Sequence, residues 1–142
     1  MDSYKADQVI NGTWGEVWLN DQYMAESTGL EAKYKVTKSD VNQTGTLVKG
    51  QKITGIEGSG TLKLNKVSSY MLKLLLSDIK NGIMPDITII SNLKDPAALG
   101  NERVKVTGVS FDELTIANWE AGKLGEDSYP FTFREAELID AI

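Results

Sequence analysis

The sequence predicts a single, mainly β domain: an antiparallel β-sandwich or barrel-like fold with one flanking α-helix. Segments in which apolar and polar side chains alternate recur along the chain, turn-forming residues separate them, and one segment has helical spacing instead. The chain has 142 residues, the length of one domain, and we expect residues 1–142 to form that domain.

The first alternating segments predict three strands. Residues 1–12 form an N-terminal segment that ends in a turn, and aromatic and β-branched residues predict a strand over 13–20. Turn residues at 20 and 21 lead into a second strand over 23–26, and strict alternation predicts a third over 30–37. A period of two means that one face of this third strand is buried. That face consists of Leu30, Ala32, Tyr34 and Val36.

Residues 38–52 interrupt the alternation. They are polar, contain two glycines and include three apolar residues, which predicts a long hairpin loop or an extended hairpin tip. The following strand, residues 53–65, carries Gly55, Gly58 and Gly60, which suggest a bulge or a close approach of another backbone.

One helix is predicted between a serine cap at position 68 or 69 and Gly82, which can end it in the left-handed conformation. Apolar residues recur between them at spacings of three and four, so we expect the helix to cover an open face or end of a sheet. Its apolar face consists of Met71, Leu72, Leu75, Leu76 and Ile79, with Leu74 beside them.

The second half of the chain predicts four more strands. A buried strand covers 86–91, and two strands over 102–111 and 114–119 meet at a two-residue hairpin turn. A turn-rich loop precedes a last alternating strand over 129–134, and an acidic and apolar tail, 135–142, ends the chain.

The composition argues against an enzyme. The chain has no cysteine and no histidine, which excludes thiol nucleophiles, disulfides and cysteine-based zinc sites and removes the commonest general base. A carboxylate pair, a lysine or an oxygen-ligand cation site remains possible. The adjacent acids Asp112-Glu113 and Glu126-Asp127 lie in predicted turns, where carboxylates are solvated, and nothing in the sequence sets them across a cleft. We therefore expect no catalytic residues, no metal and no cofactor.

Two other functions stay open on the residues alone. Trp14, Trp18 and Trp119 would suit a sugar-binding platform, so a monomeric β-barrel binding module for a carbohydrate or small ligand is the main alternative. Aromatic residues on short strands more often belong to a core. An uncommon carboxylate-dependent hydrolase is a third hypothesis.

Charge is unevenly distributed along the chain. Residues 1–32 carry a net charge of −5, residues 33–80 a net +6, and residues 112–142 a net −6. This is either an ordinary solvated surface or a sign that basic and acidic surfaces of different copies meet. The lysines are spread along strands with little aromatic interleaving, so a nucleic-acid site is the weaker explanation. We expect no membrane span, because no apolar run is long enough, and synthesis without a secretory signal.

Taken together, several segments resemble the tail tube proteins of PBSX-like defective prophages and contractile-tailed phages. The resemblance rests on the order and pattern of TWGEVWLN, LEAKYKV, the polar hairpin, SSYMLKLLLSDIKNG, VTGVSFDELTIANWEAG and YPFTF, and it spans nearly the whole chain. It implies a tail tube fold and a structural subunit that forms stacked, hexameric rings with a central channel inside a contractile sheath.

The resemblance also implies partners and places. These are other copies of the chain, the tail sheath, baseplate and tail terminator proteins, and DNA that passes through the channel without specific binding. It implies assembly in the host cytoplasm and a final place in the tail of a virion or phage-like particle. The polar hairpin is the expected stacking interface between subunits. Its residues are Lys38, Ser39, Asp40, Val41, Asn42, Gln43, Thr44, Gly45, Thr46, Leu47, Val48, Lys49, Gly50, Gln51 and Lys52.

Overall fold

The computed structural model describes residues 3–142, and their fold is mostly antiparallel β with one α-helix. The strands are β1 (Gly15–Leu19), β2 (Gln22–Tyr23), β3 (Ser27–Val41), β4 (Gly50–Asn65), β5 (Ile87–Leu93), β6 (Glu102–Phe111), β7 (Glu126–Phe133) and β8 (Glu135–Asp140). The helix is α1 (Tyr70–Lys80), and short 3₁₀ turns lie at Ala6–Gln8 and Gly12–Trp14. The predicted fold class is confirmed.

The strands form two connected sheets that share β6. One sheet has the order β2-β1-β5-β6-β8, and the other continues β6-β7-β4-β3. The change of sheet occurs at Gly108, whose φ of +66° bends β6, and at Arg134, where the chain passes from β7 to β8. A Cβ on Gly108 would lie 3.0 Å from Arg134 Cβ, so a side chain at position 108 would crowd the bend at Arg134.

The core lies between the two sheets, and α1 closes one side of it. The fully buried positions come from facing sheets and include Leu19, Leu62, Ile87, Ile89, Val106, Tyr129 and Phe131. From the helix, Met71 and Leu75 are buried against this cluster. Three phenylalanines and a tyrosine pack edge-on or tilted at ring-centroid distances of 5.9–6.2 Å, which favours a single well-ordered core.

Several local predictions are confirmed by backbone geometry. Asn20 and Asp21 have φ of 47° and 66°, the double positive φ of a tight hairpin turn between β1 and β2. Gly82 has φ of +75° and its N–H donates to the Ile79 carbonyl at 3.0 Å, so it ends α1 as predicted. Among residues 3–142, no helix is long and apolar enough to cross a membrane.

Two predictions for the second half are wrong. Residues 114–119 form no strand, because β7 already occupies the edge of β6 that a hairpin partner would need, pairing Phe131 with Phe111. The predicted two-residue turn at Asp112-Glu113 is therefore a long loop, residues 112–125. The predicted tail, 135–142, contains β8, which follows β7 along the same edge of β6, while β5 pairs with the opposite edge.

Candidate assembly interface

β3 and β4 form a hairpin that extends beyond the rest of its sheet. β4 pairs with β7 only as far as Gly58, opposite Phe133. Toward the tip, residues 35–41 and 50–57 pair with each other and with no other strand of the described chain. We call these segments, with the connecting residues 42–49, the hairpin arm. Strand segments of this length rise about 23 Å, and both of their outer edges are unpaired.

Glycines allow this hairpin to lie close to β7. A Cβ on Gly58 would come within 2.7 Å of the Phe133 ring and its carbonyl oxygen. A Cβ on Gly60 would meet the Phe131 ring at 2.6 Å and would also strike the Glu31 backbone. The predicted close approach is therefore correct, and the approaching backbone belongs to this chain. The predicted bulge is also found, where the register of β3 and β4 shifts beside Gly55.

The apolar face of the sheet continues onto the hairpin arm. From the core outward, the cross-strand pairs on this face are Leu30–Leu62, Ala32–Gly60, Tyr34–Gly58, Val36–Ile56 and Lys38–Ile53. Leu62 is fully buried, whereas Val36, Ile56 and Ile53 are 42%, 56% and 60% exposed. These three branched apolar side chains lie in a row on a solvent-exposed face of a two-stranded ribbon. Such a row is typical of a surface that another protein covers.

The buried face predicted for residues 30–37 is therefore only partly correct. Leu30 contacts the core, and Tyr34 packs on Phe133 at 5.1 Å and donates from its hydroxyl to the Arg134 carbonyl at 3.2 Å. Val36 lies past the last residue of β7 and is 42% exposed.

The segment predicted as a long loop is only partly a loop. Residues 38–41 belong to β3 and residues 50–52 to β4, which leaves 42–49 as the connection. Within it, Gly45 has φ of +81° and the Val48 N–H donates to Thr46 Oγ1 at 3.1 Å. Except for half-buried Gly50, all residues from 38 to 52 are exposed.

The other face of the hairpin arm is polar and mainly basic. Its side chains include Lys35 and Lys52, and the acidic Glu57 lies opposite Lys35. Acidic side chains lie elsewhere, on β8 and on the loop 112–125. β8 is exposed along its whole length and carries its acids beside an outer edge that is unpaired in the described residues. Sequence reasoning missed this edge strand, although its alternation of acidic and apolar residues was a usable signal.

The three tryptophans do not form a common platform. Trp18 packs on Tyr23 at 5.1 Å, and Trp14 is half exposed before β1. Trp119 is 86% exposed on the loop 112–125, in a shallow groove that neither of the others lines. The prediction that they belong to the core is wrong, because the core positions of β1 are taken by Val17 and Leu19.

The two adjacent acid pairs, Asp112-Glu113 and Glu126-Asp127, differ in burial. Asp112, Glu113 and Glu126 are exposed, but Asp127 is buried at the start of β7, contrary to the expected solvated turn. It lies 3.9 Å from Lys66 Nζ and accepts a hydrogen bond from the Tyr129 hydroxyl at 3.4 Å. Burial, and then the neighbouring Asp127 charge, raises the pKa of Tyr129 to about 12.

No second carboxylate accompanies Asp127 in this buried cluster. Among residues 3–142 no group of three or more acidic, histidine or cysteine side chains is placed to hold a metal ion. A cavity of 470 Å³ lies between β1 and β3, but its titratable residue, Glu16, is bound to Lys94 at 2.6 Å. The features left without a structural role are the hairpin arm and the free strand edges, which are typical of a subunit that is completed by other protein.

Comparison with known families agrees with this class. A family model described as "phage tail tube protein" matches residues 2–140, so the chain belongs to the phage tail tube protein family. It is 34% identical over 140 residues to the phage-like element PBSX protein XkdM of Bacillus subtilis (strain 168), covering 97% of this chain and 95% of that protein. The resemblance stated from the sequence is confirmed.

Two solved structures are similar in fold. One is the anti-feeding prophage tube terminating cap, with a TM-score of 0.73, 14% identity, and coverage of 99% of this chain and 97% of that one. The other belongs to the sheath-tube complex of an extracellular contractile injection system in its extended state, with a TM-score of 0.69, 12% identity, and coverage of 98% and 100%.

Proposed function

We propose that this tail tube protein is a structural subunit that assembles into stacked, hexameric rings around a central channel. The observation that carries the proposal is the hairpin arm: its apolar face continues the core face outward and is uncovered in a single copy. Burying apolar surface contributes roughly 25 cal/mol per Å², so covering this face in a neighbour favours assembly.

The free strand edges support ring formation. The outer edges of β3 and β8 are unpaired in residues 3–142, and an exposed edge invites pairing with another chain. A closed ring of identical subunits removes such edges, and a heterologous contact produces rings or open filaments. The lysines near β3 and the acids of β8 carry opposite charges. This favours contact between the β3 edge of one copy and the β8 edge of another.

We propose that the hairpin segment 38–52 forms the contact between stacked rings and that this segment becomes fully ordered in the tube. Inside a contractile sheath, the tube would meet sheath, baseplate and terminator proteins, as the similarity to a sheath-tube complex and a tube terminating cap suggests. DNA would pass through the channel without specific binding. Subunits would assemble in the host cytoplasm and end in the tail of a virion or phage-like particle.

The proposed role is non-enzymatic. Catalysis would need a positioned acid or base in a cleft, and the buried carboxylate of Asp127 instead lies between Lys66 and Tyr129 at the start of β7. The cluster therefore fits a structural role at the base of the long hairpin.

Light scattering coupled to size exclusion tests the proposal. The unaltered protein should elute as rings or tubes as its concentration rises. Deletion of 40–50 should leave a folded monomer, while Lys73→Glu on the exposed side of α1 should assemble like the parent. Wild-type assembly by the deletion variant would refute the role of the hairpin arm. A strict monomer whose tryptophan fluorescence responds to sugars would instead support a binding module.

A further inference from the structure

The tip of the hairpin arm and the loop 112–125 lie at opposite ends of one strand. β4 begins at Gly50, next to the tip, and ends at Asn65, which pairs with Glu126. The next residue, Lys66, donates from its N–H to the Gly125 carbonyl at 2.8 Å, which ties the loop to the base of the hairpin. A strand of 16 residues spans about 50 Å, so one copy cannot bring its own tip to its own loop.

The loop 112–125 presents apolar side chains that the monomer does not use. Trp119 is 86% exposed, Leu124 is 99% exposed and Ile116 is 60% exposed. Trp119 and Leu124 line a groove of about 450 Å³ together with Lys66, Asn118, Glu120, Lys123, Gly125 and Glu126. Large apolar groups grouped at one groove mark an interaction site rather than an ordinary surface.

The groove is held in shape by the loop's own contacts. The Lys123 N–H donates to the Glu120 carbonyl at 3.1 Å, and the Asn118 side chain donates to the Glu126 carbonyl at 3.2 Å. Gly122, with φ of +82°, supplies the turn between these contacts. A preformed groove loses little conformational entropy on binding, which favours its use as a docking site.

The tip of the hairpin arm is complementary to this groove. Leu47 is fully exposed and Val48 is 77% exposed, so both are largely uncovered in a single copy. The segment 38–52 has a net charge of +2, and the segment 112–127 has a net charge of −4. The tip thus combines apolar residues with lysines, and the groove combines apolar residues with carboxylates, so the two surfaces are complementary.

We infer that the tip of the hairpin arm of one copy docks into the groove of the loop 112–125 on the next copy along the tube. Leu47 and Val48 pack on Trp119 and Leu124, and the lysines beside the tip lie near the acids of the loop. Because the two surfaces differ and lie at opposite ends of the subunit, the contact is head-to-tail and repeats without closing. The inference rests on the proposed tube and names the receptor for its stacking hairpin.

Pairwise crosslinking tests the contact, because the natural chain has no cysteine and every disulfide must come from introduced residues. Leu47→Cys and Leu124→Cys subunits are mixed, assembled and oxidised, and tubes are confirmed by electron microscopy before analysis. A covalent dimer should form in the mixture and in neither variant alone. Leu47→Cys mixed with Leu99→Cys, another exposed leucine outside the loop, should give none. Tubes without the Leu47–Leu124 dimer overturn the inference but leave the proposed function intact, whereas the absence of tubes from unaltered protein overturns the proposed function.

A substitution at Trp119 gives a second readout. Because its side chain is mostly exposed in the monomer, Trp119→Ala should leave the melting temperature of the monomer unchanged. The concentration needed for tube assembly should rise at least about tenfold, the effect typical of losing an interface anchor. In a variant with the other two tryptophans replaced by phenylalanine, Trp119 emission should become shielded from acrylamide as tubes form. If Trp119 stays quenchable in bare tubes and is shielded only after sheath protein is added, the groove binds sheath and the inference is wrong.

Discussion

Replacing Gly60 by alanine tests whether β4 packs closely against the Phe131 ring of β7 and the backbone of β3. The added Cβ would lie 2.6 Å from the Phe131 ring and 3.0 Å from the Ala32 Cα, and it would also strike the Glu31 backbone. Overpacking a core costs about 1–3 kcal/mol. Since two of these neighbours are backbone atoms of β3, which cannot change rotamer, we expect the upper end, about 3 kcal/mol.

Gly55→Ala on the same strand is the matched control. Its added Cβ would meet only the Thr37 Cβ at 3.9 Å, and neither glycine has a positive φ. Restricting the unfolded chain should make Gly55→Ala neutral or more stable by roughly 0.4–1 kcal/mol. Urea and thermal unfolding at monomer concentration would measure both, and Gly60→Ala should melt about 6–12 °C below the parent. Equal stability of the two variants would refute the close packing of β3, β4 and β7.

Three further predictions concern pH, salt and DNA. Because the pKa of Tyr129 is raised to about 12 from its ordinary 10, the unfolded chain ionises first as pH rises. Stability should therefore fall between pH 10 and 12, and Tyr129→Phe should lessen that loss in urea unfolding; an unchanged pH profile would contradict it. Assembly followed by light scattering should slow in concentrated sodium chloride, where screening weakens charge pairing, and recover in sulfate at matched ionic strength. Lys49→Glu with Lys52→Glu should also slow it, and indifference to both would mean that the charge asymmetry is only solvated surface. Duplex DNA should bind the tube weakly, and tight, salt-sensitive binding would count against a channel that releases DNA.

The sequence predicted the parts of the fold that local chemistry decides. The Asn20-Asp21 turn and the end of α1 at Gly82 depend on residues that tolerate positive φ, and both positions have it. The glycines of β4 were correctly associated with close packing, because a strand tolerates missing side chains only where something fills their space.

The errors concern what lies beside each segment. Val36 continues a clean alternation, yet periodicity cannot show that β7 ends before it and leaves it uncovered. Residues 114–119 have strand-forming composition, but the pairing edge of β6 is occupied by a strand that comes later in the chain. Asp127 was expected to be solvated because a turn was predicted there, whereas β7 begins one residue earlier and carries it inward. These outcomes are set by tertiary neighbours, which a single sequence does not reveal.

Electron microscopy of the purified protein over a concentration series tests whether the subunit builds a tube through its hairpin arm. We predict stacked rings with six-fold symmetry and an open channel, in which the hairpin arm of each subunit is ordered against a neighbouring copy. A particle that remains a monomer at every concentration, or an assembly that leaves the hairpin arm free in solvent, would contradict it.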